Sequence, residues 1–366
     1  MKMKLTTWSV MAVMVGCAGP AIPRGESGVS TKSWVADHDE SVVDVLADTA
    51  GGRRRVPVRA YFPSGPKGTS PQAGAIAEGA GPVLVFMHGT NGELDAHDLL
   101  ARDLASQGWV VIVGAHPGLA RTADYPNAPS RPISSKLQAA IAKLSGAPES
   151  LPAVFADPFM QQTLEMLRAD LRLIVASAPD QLPGVSFDRI AYGGHSMGAI
   201  VTMGVCREAS SRCVAFVNLD GPPADLSISP DGVATLTPQP VDRPSLVMTS
   251  ELMATGANTR ASWELLDVQD ALGTAPLLSV QLKKAGHLDL TDAPVVFGHV
   301  LQGTLFGAGA AGSIDPIRAV DVTRTTVSTF LQRYGRCDGA VSLPGSLADL
   351  PELEVKVTRA LDAPCR

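Results

Sequence analysis

The stretch AYGGHSMGAI, residues 191–200, decides how this chain is read. The run VSFDRIAYG (185–193), with β-branched and aromatic residues, leads into it and predicts a strand. The run IVTMGV (200–205) at its end predicts the start of a buried helix. A strand that enters a helix through Gly194-His195-Ser196-Met197-Gly198 has the form of a sharp elbow, whose glycines let the backbone turn tightly enough to push one hydroxyl outward. That hydroxyl would be the one on Ser196. In a chain with 35 glycines, G-x-S-x-G also arises as a plain turn, so the case rests on partners elsewhere.

The 366 residues allow one large α/β domain or two small ones, and 45% hydrophobic with 18% charged is ordinary globular composition, which excludes a disordered chain. The net charge of −6 comes without a basic stripe, so nucleic acid is not expected as a partner. A small-molecule or lipid substrate fits better.

The first residues, MKMKLTTWSVMAVMVGCAGP, place Lys2 and Lys4 before an apolar run of roughly a dozen residues, too short to span a bilayer core of about 30 Å. Residues 1–16 are therefore expected to be a signal peptide. Met14-Val15-Gly16-Cys17 resembles a bacterial lipobox, with Met14 in place of the usual leucine. The expectation is that Cys17 becomes the lipidated first residue, a membrane anchor followed by a flexible tether to residue 40. The alternative is cleavage near Gly19, which would remove Cys17. Either way export is expected, as a bacterial envelope lipoprotein or otherwise as a secreted protein.

The four remaining cysteines form an even set for an oxidising compartment. Cys206 is expected to pair with Cys213 across a short helix-to-strand loop, and Cys337 with Cys365, pinning a tail over 335–366. Neither pair has C-x-x-C spacing, so metal ligation is the weaker reading.

Folding is expected to begin near Ser41, where SVVDVLAD and RRVPVRAYF read as two strands around Ala50-Gly51-Gly52. From Val83 onward, apolar runs (VLVFM, WVVIVGA, RIAYG, VAFVNLD, PSLVMTS, LLSVQLKK) alternate with helix-length connections. In FMQQTLEMLRADLRLIV, residues Met160, Leu164, Leu167, Leu171 and Ile174 fall on one helical face. Near-continuous Val/Ile/Leu strands between helices predict one α/β domain with a mostly parallel central sheet and helices on both faces. The proline-bearing segment 117–157 breaks this alternation after a strand's carboxyl end and reads as a cap.

Such sheets bind ligands at the carboxyl ends of their strands. VLVFM ends in His88-Gly89-Thr90-Asn91-Gly92, the place of an oxyanion loop, with the backbone N–H of Thr90 expected to join that of Met197. VAFVNLD ends at Asp220, and LLSVQLKK runs into Ala285-Gly286-His287. The order Ser196, Asp220, His287 is that of a nucleophile, an acid and a base on such a sheet, with Glu251, one strand later, as the alternative acid. Gly307-Ala308-Gly309-Ala310-Ala311-Gly312 matches a dinucleotide fingerprint but lies too late to open a βα unit. No cofactor and no catalytic metal is expected. His116 is read as pocket lining or a structural residue, and His195 as set by local packing.

VLVFMHGTNG, DLASQGWVVIVGAHPG, GHSMG, NLDG and GHLDLTD together resemble the platelet-activating factor acetylhydrolase-like and dienelactone-hydrolase-related branch of the α/β-hydrolases, over roughly residues 41–334. The resemblance implies an α/β-hydrolase fold, with domain limits of 41–334. It implies Ser196, Asp220 and His287 as the triad, Thr90 and Met197 as oxyanion donors, and metal-free cleavage of short-acyl or phospholipid-type esters. HGTNG is longer than the family's usual His-Gly-X-Gly, which leaves the loop donor open by one residue. Ser196, where a dienelactone hydrolase has cysteine, points away from that activity. A hydrolase of bulkier or polymeric esters, and a catalytically silent binding lipoprotein, are the alternatives.

Overall fold

The computed structural model describes residues 40–48, 54–63, 81–125, 128–146, 151–182, 184–209, 212–223, 225–228, 231, 234–255, 260–297 and 310–363. The expected signal peptide, Cys17 and the tether up to residue 39 lie outside the described residues, as do Gly307–Gly309 and Cys365.

Strands β1 (Glu40–Asp48) and β2 (Arg55–Pro63) pair antiparallel. Then follow β3 (Val83–Met87), α1 (Asp98–Ser106), β4 (Val110–Gly114), the small antiparallel pair β5 (Thr122–Tyr125) and β6 (Ala128–Pro132), α2 (Ser135–Gly146), α3 (Leu151–Ala156) and α4 (Pro158–Gln181). The second half runs β7 (Ile190–His195), α5 (Met197–Glu208), β8 (Cys213–Leu219), a second small pair β9 (Leu226–Ile228) and β10 (Ala234–Leu236), β11 (Ser245–Ser250), α6 (Glu251–Thr255), α7 (Arg260–Leu272) and β12 (Leu277–Leu282). A 3₁₀ turn (His287–Leu290), α8 (Ala293–Phe297), α9 (Pro316–Tyr334), α10 (Leu343–Ser346) and β13 (Leu353–Arg359) complete it.

The 9-stranded sheet has the order β1-β2-β4-β3-β7-β8-β11-β12-β13. From β4 through β12 every neighbouring pair is parallel, and β2 and β13 join the two ends antiparallel. The chain runs from β3 to β4 on one side and then crosses to β7 on the other. The carboxyl ends of β3 and β7 therefore flank the switch point, where α/β sheets open a crevice.

Alternate residues of β3 feed two cores. Val83, Val85 and Met87 pack with α4 and α5 on one face. Leu84 and Phe86 pack with Trp109, α1 and α9 on the other. Both faces are covered, so the strand carries no polar alternation, which is why it reads as a solid apolar run. Met160, Leu164, Leu167, Leu171 and Ile174 of α4 are all buried on the face their spacing predicts. That helix starts where Asp157 accepts from Phe159 N (2.8 Å) with Pro158 in its first turn, which satisfies one free amide and costs none.

Two expectations change. Segment 117–157 carries a small β pair and two helices rather than one helix-like piece. It is latched to the loop after β3 by Asn91 N to Leu119 O (2.9 Å) and Arg121 N to Gly92 O (2.9 Å). The tail adds a strand to the sheet: β13 pairs with β12, and Tyr334 Oη donates to Leu361 O at 2.7 Å. Cys337 is an exposed thiol with no disulfide among the described residues, and Cys365, its expected partner, lies outside them. The other expected disulfide, Cys206–Cys213, closes the turn from α5 into β8 with a Cα–Cα distance of 5.3 Å.

Candidate active site

Ser196 is the hinge between β7 and α5, with φ 55° and ψ −124°. A non-glycine residue pays about 1–3 kcal/mol for such backbone, so the surroundings must enforce it. They do so by close approach. A Cβ on Gly194 would lie 2.4 Å from the backbone carbon of Gly198, and one on Gly198 would lie 2.1 Å from the carbonyl oxygen of Met87. The elbow can press against its own helix and against β3 only with glycine at both places. Ser196 N then donates to Leu219 O (2.8 Å), tying the hinge to the end of β8.

The residue after Leu219 is Asp220, also at positive φ (57°). The turn beyond it is clamped by Asn218, whose side chain accepts from Gly221 N (2.7 Å) and donates to Gly221 O (2.8 Å). The buried Asp220 carboxylate takes three hydrogen bonds: Ser250 N to Oδ1 (2.8 Å), Ser250 Oγ to Oδ2 (2.6 Å) and His287 Nδ1 to Oδ2 (2.8 Å). Burying a charge is tolerated when its lone pairs are met in this way.

His287 opens the 3₁₀ turn after β12. Asp289 fixes that turn by accepting from Gly286 N (2.7 Å) and Gly312 N (2.6 Å), and burial pushes the Asp289 carboxyl above its usual range. A carboxylate only accepts, so Nδ1 of His287 donates to Asp220 and Nε2 is the ring nitrogen left for other contacts, on a side chain 23% exposed. Ser196 Oγ makes no hydrogen bond among the described residues. A contact between hydroxyl and base commonly closes only when substrate is in place.

Four histidines gather around this centre. His195 Nε2 donates to the main-chain oxygen of His287 (2.9 Å), and the two rings lie 4.5 Å apart. His97 lies 5.5 Å beyond His195. His88, after β3, donates from Nδ1 to Gly89 O at 2.7 Å. Burial is the main force lowering their basicity: His88 falls to about 4, His97 to about 3, and His195 well below the usual imidazole range. All three are neutral at pH 7. His116 turns away to Asp170 (3.4 Å), which also binds Arg54 through Nε at 2.6 Å and Nη2 at 2.5 Å.

Of the amides in the loop after β3, Asn91 and Gly92 donate to Leu119 and Gly89, while those of Gly89 and Thr90 have no partner among the described residues. Met197 is the first residue of α5, and the opening amides of a helix have no carbonyl of their own. The alternative acid, Glu251, accepts from Lys284 N and makes no contact with His287.

Sequence reasoning overlooked Ser250, which supplies two of the three bonds to Asp220. Its signal was its place at the end of LVMTS, the residue before the Glu251 that drew attention. It also treated His195 as packing only. No group of three or more His, Cys, Asp or Glu side chains fit to hold a metal occurs among the described residues.

No protein-family model and no curated protein matches the chain. Among solved structures, a ferulic acid esterase from Streptomyces cinnamoneus is similar, with a TM-score of 0.62 and 20% identity over 87% of this chain and 96% of that one. The chain has the α/β-hydrolase fold that the sequence leads one to expect.

Proposed function

We propose that the protein is a serine esterase that cleaves carboxylic esters through an acyl-Ser196 intermediate. The observation that carries this reading is the 2.8 Å bond from His287 Nδ1 to a buried Asp220, beside a serine held at positive φ. In this reading His287 Nε2 removes the proton of Ser196 Oγ as that oxygen attacks the ester carbonyl. The oxygen that gains negative charge is received by the amides of Thr90 and Met197. The leaving alcohol takes the proton from His287, and water, activated by the same ring, then releases the acid and frees Ser196. Asp220 stabilises the imidazolium formed in each half.

The substrate class we favour is a short-acyl or phospholipid-type ester, as in the acetylhydrolase-like branch, with segment 117–157 as the cap over the acyl site. Lipidation at Cys17 would hold the site at a bacterial envelope membrane. This part rests on the sequence motifs. A second reading, a bulky aromatic ester, is favoured by the likeness to an enzyme whose name gives ferulic acid as its acyl group. Initial rates on p-nitrophenyl esters of increasing acyl length, set beside a methyl ferulate assay, separate them. A steep fall beyond short acyl chains with no ferulate turnover supports the first, and ferulate as the best substrate supports the second.

A further inference from the structure

His195 is tied to both halves of the reacting pair, to one by the chain itself and to the other by its side chain. His195 precedes Ser196 in the elbow, and its ring reaches across to the backbone of His287. Resting on the esterase reading, we propose that His195 is a positioning residue: by donating Nε2–H to the main-chain oxygen of His287 it fixes where the base stands relative to Ser196.

The assignment of the proton follows from the acceptor, because a carbonyl oxygen can only receive. The 2.9 Å contact therefore requires hydrogen on Nε2 and leaves Nδ1 bare. That bare nitrogen faces the loop after β3, where a Cβ on Gly89 would fall 2.9 Å from it and 3.0 Å from Ser196 Cβ. One ring thus sits among the elbow, the loop carrying Thr90 and the turn carrying His287. The rings of His97 and His287 lie 5.5 and 4.5 Å from it, both tilted to its plane, and Phe86 lies 4.8 Å from His97. Packed against these rings and 3% exposed, His195 has little freedom to turn. The triad explains none of these contacts. Asp220 governs the tilt of the His287 ring through Nδ1, whereas His195 governs the position of the main chain that bears it. A displacement of about 1 Å between base and nucleophile costs on the order of a hundredfold in rate.

Gln and Met have similar length and volume at position 195, and only Gln can donate. The test is to measure kcat and KM for p-nitrophenyl acetate, with the rate of Ser196 labelling by a fluorophosphonate, in the full chain, H195Q and H195M. Expected is a fall in kcat and labelling rate of about tenfold to a hundredfold in H195M, with KM within about twofold, and recovery to within about threefold of the native rate in H195Q. H195M at the native rate, or H195Q as impaired as H195M, overturns the proposal. Should H195M not fold, H195Q decides alone: labelling within about threefold of native supports the role, and a loss beyond about tenfold overturns it. A native chain that neither turns over esters nor labels at Ser196 overturns the esterase reading itself, an outcome distinct from the others.

Discussion

His287 Nδ1 lies 2.8 Å from Asp220 Oδ2, and the same oxygen receives Ser250 Oγ at 2.6 Å. The carboxylate is thus oriented before the ring meets it, and the ring's proton is fixed on Nδ1. Both features follow from strand ends: β8 delivers Asp220, β11 delivers Ser250, and the turn after β12 delivers His287.

If Asp220 holds the base, Asp220→Asn lowers kcat by about 10⁴-fold, because the amide can place a donor where the ring needs an acceptor. Glu251→Gln changes kcat by less than about threefold, since Glu251 faces the Lys284 amide. Steady-state kinetics on the two variants check the pair, and the reverse pattern would make Glu251 the acid.

Ser250→Ala removes the hydroxyl bond to Asp220 and keeps the amide bond. A hydrogen bond to a charged group contributes about 1.5–3 kcal/mol, so kcat should fall by about tenfold or more with KM little changed. An unchanged kcat would mean that the amide alone orients the acid.

Asp292 is buried and accepts from Leu99 N (2.8 Å), and burial, with Asp98 and Asp95 nearby, pushes its carboxyl up to about 8. A folded-state value above the unfolded one means the native chain holds an extra proton between about pH 4 and 8, so this group's support is full at low pH and lost as pH rises. Asp292→Asn should therefore gain stability relative to the native chain from pH 5 to 8. The neutral, buried His88, His97 and His195 act oppositely: their support is full above about 6.5 and lost as pH falls toward about 4. Thermal midpoints across pH 4 to 8 read both slopes. A parallel pH course in the two proteins would refute the Asp292 assignment.

The Cys206–Cys213 bond closes a loop with a sequence separation of 7. Loop-closure entropy puts its contribution at about 2–3 kcal/mol. The double variant Cys206→Ala/Cys213→Ala should unfold at correspondingly lower denaturant while keeping native kcat, as α5 enters the site at its other end.

Much of this was legible in the sequence, and the reasons are local. The solid apolar strands and the one-sided α4 announce a sheet buried on both faces, and the strand ends name Ser196, Asp220 and His287 in order. Ser250 was not legible, because serine at a strand end has no signature until the neighbouring strand's acid is known to face it. Nor was the role of His195, since its bond to the His287 carbonyl joins positions 92 residues apart and is made to backbone, which any residue supplies. The strand in the tail went unread for a different reason. LEVKVTR is an edge strand with mostly exposed side chains, so its place depends on pairing with β12 rather than on a hydrophobic pattern.

An esterase of this kind must pass through acylation of Ser196. Acid-quenching the full chain within its first turnovers on p-nitrophenyl acetate and sequencing its peptides by mass spectrometry tests it directly. An acetyl group is expected on Ser196, more of it in Asp220→Asn if deacylation is the slower step there, and none in Ser196→Ala. Turnover of the ester with Ser196 never modified, or undiminished turnover in Ser196→Ala, would contradict it.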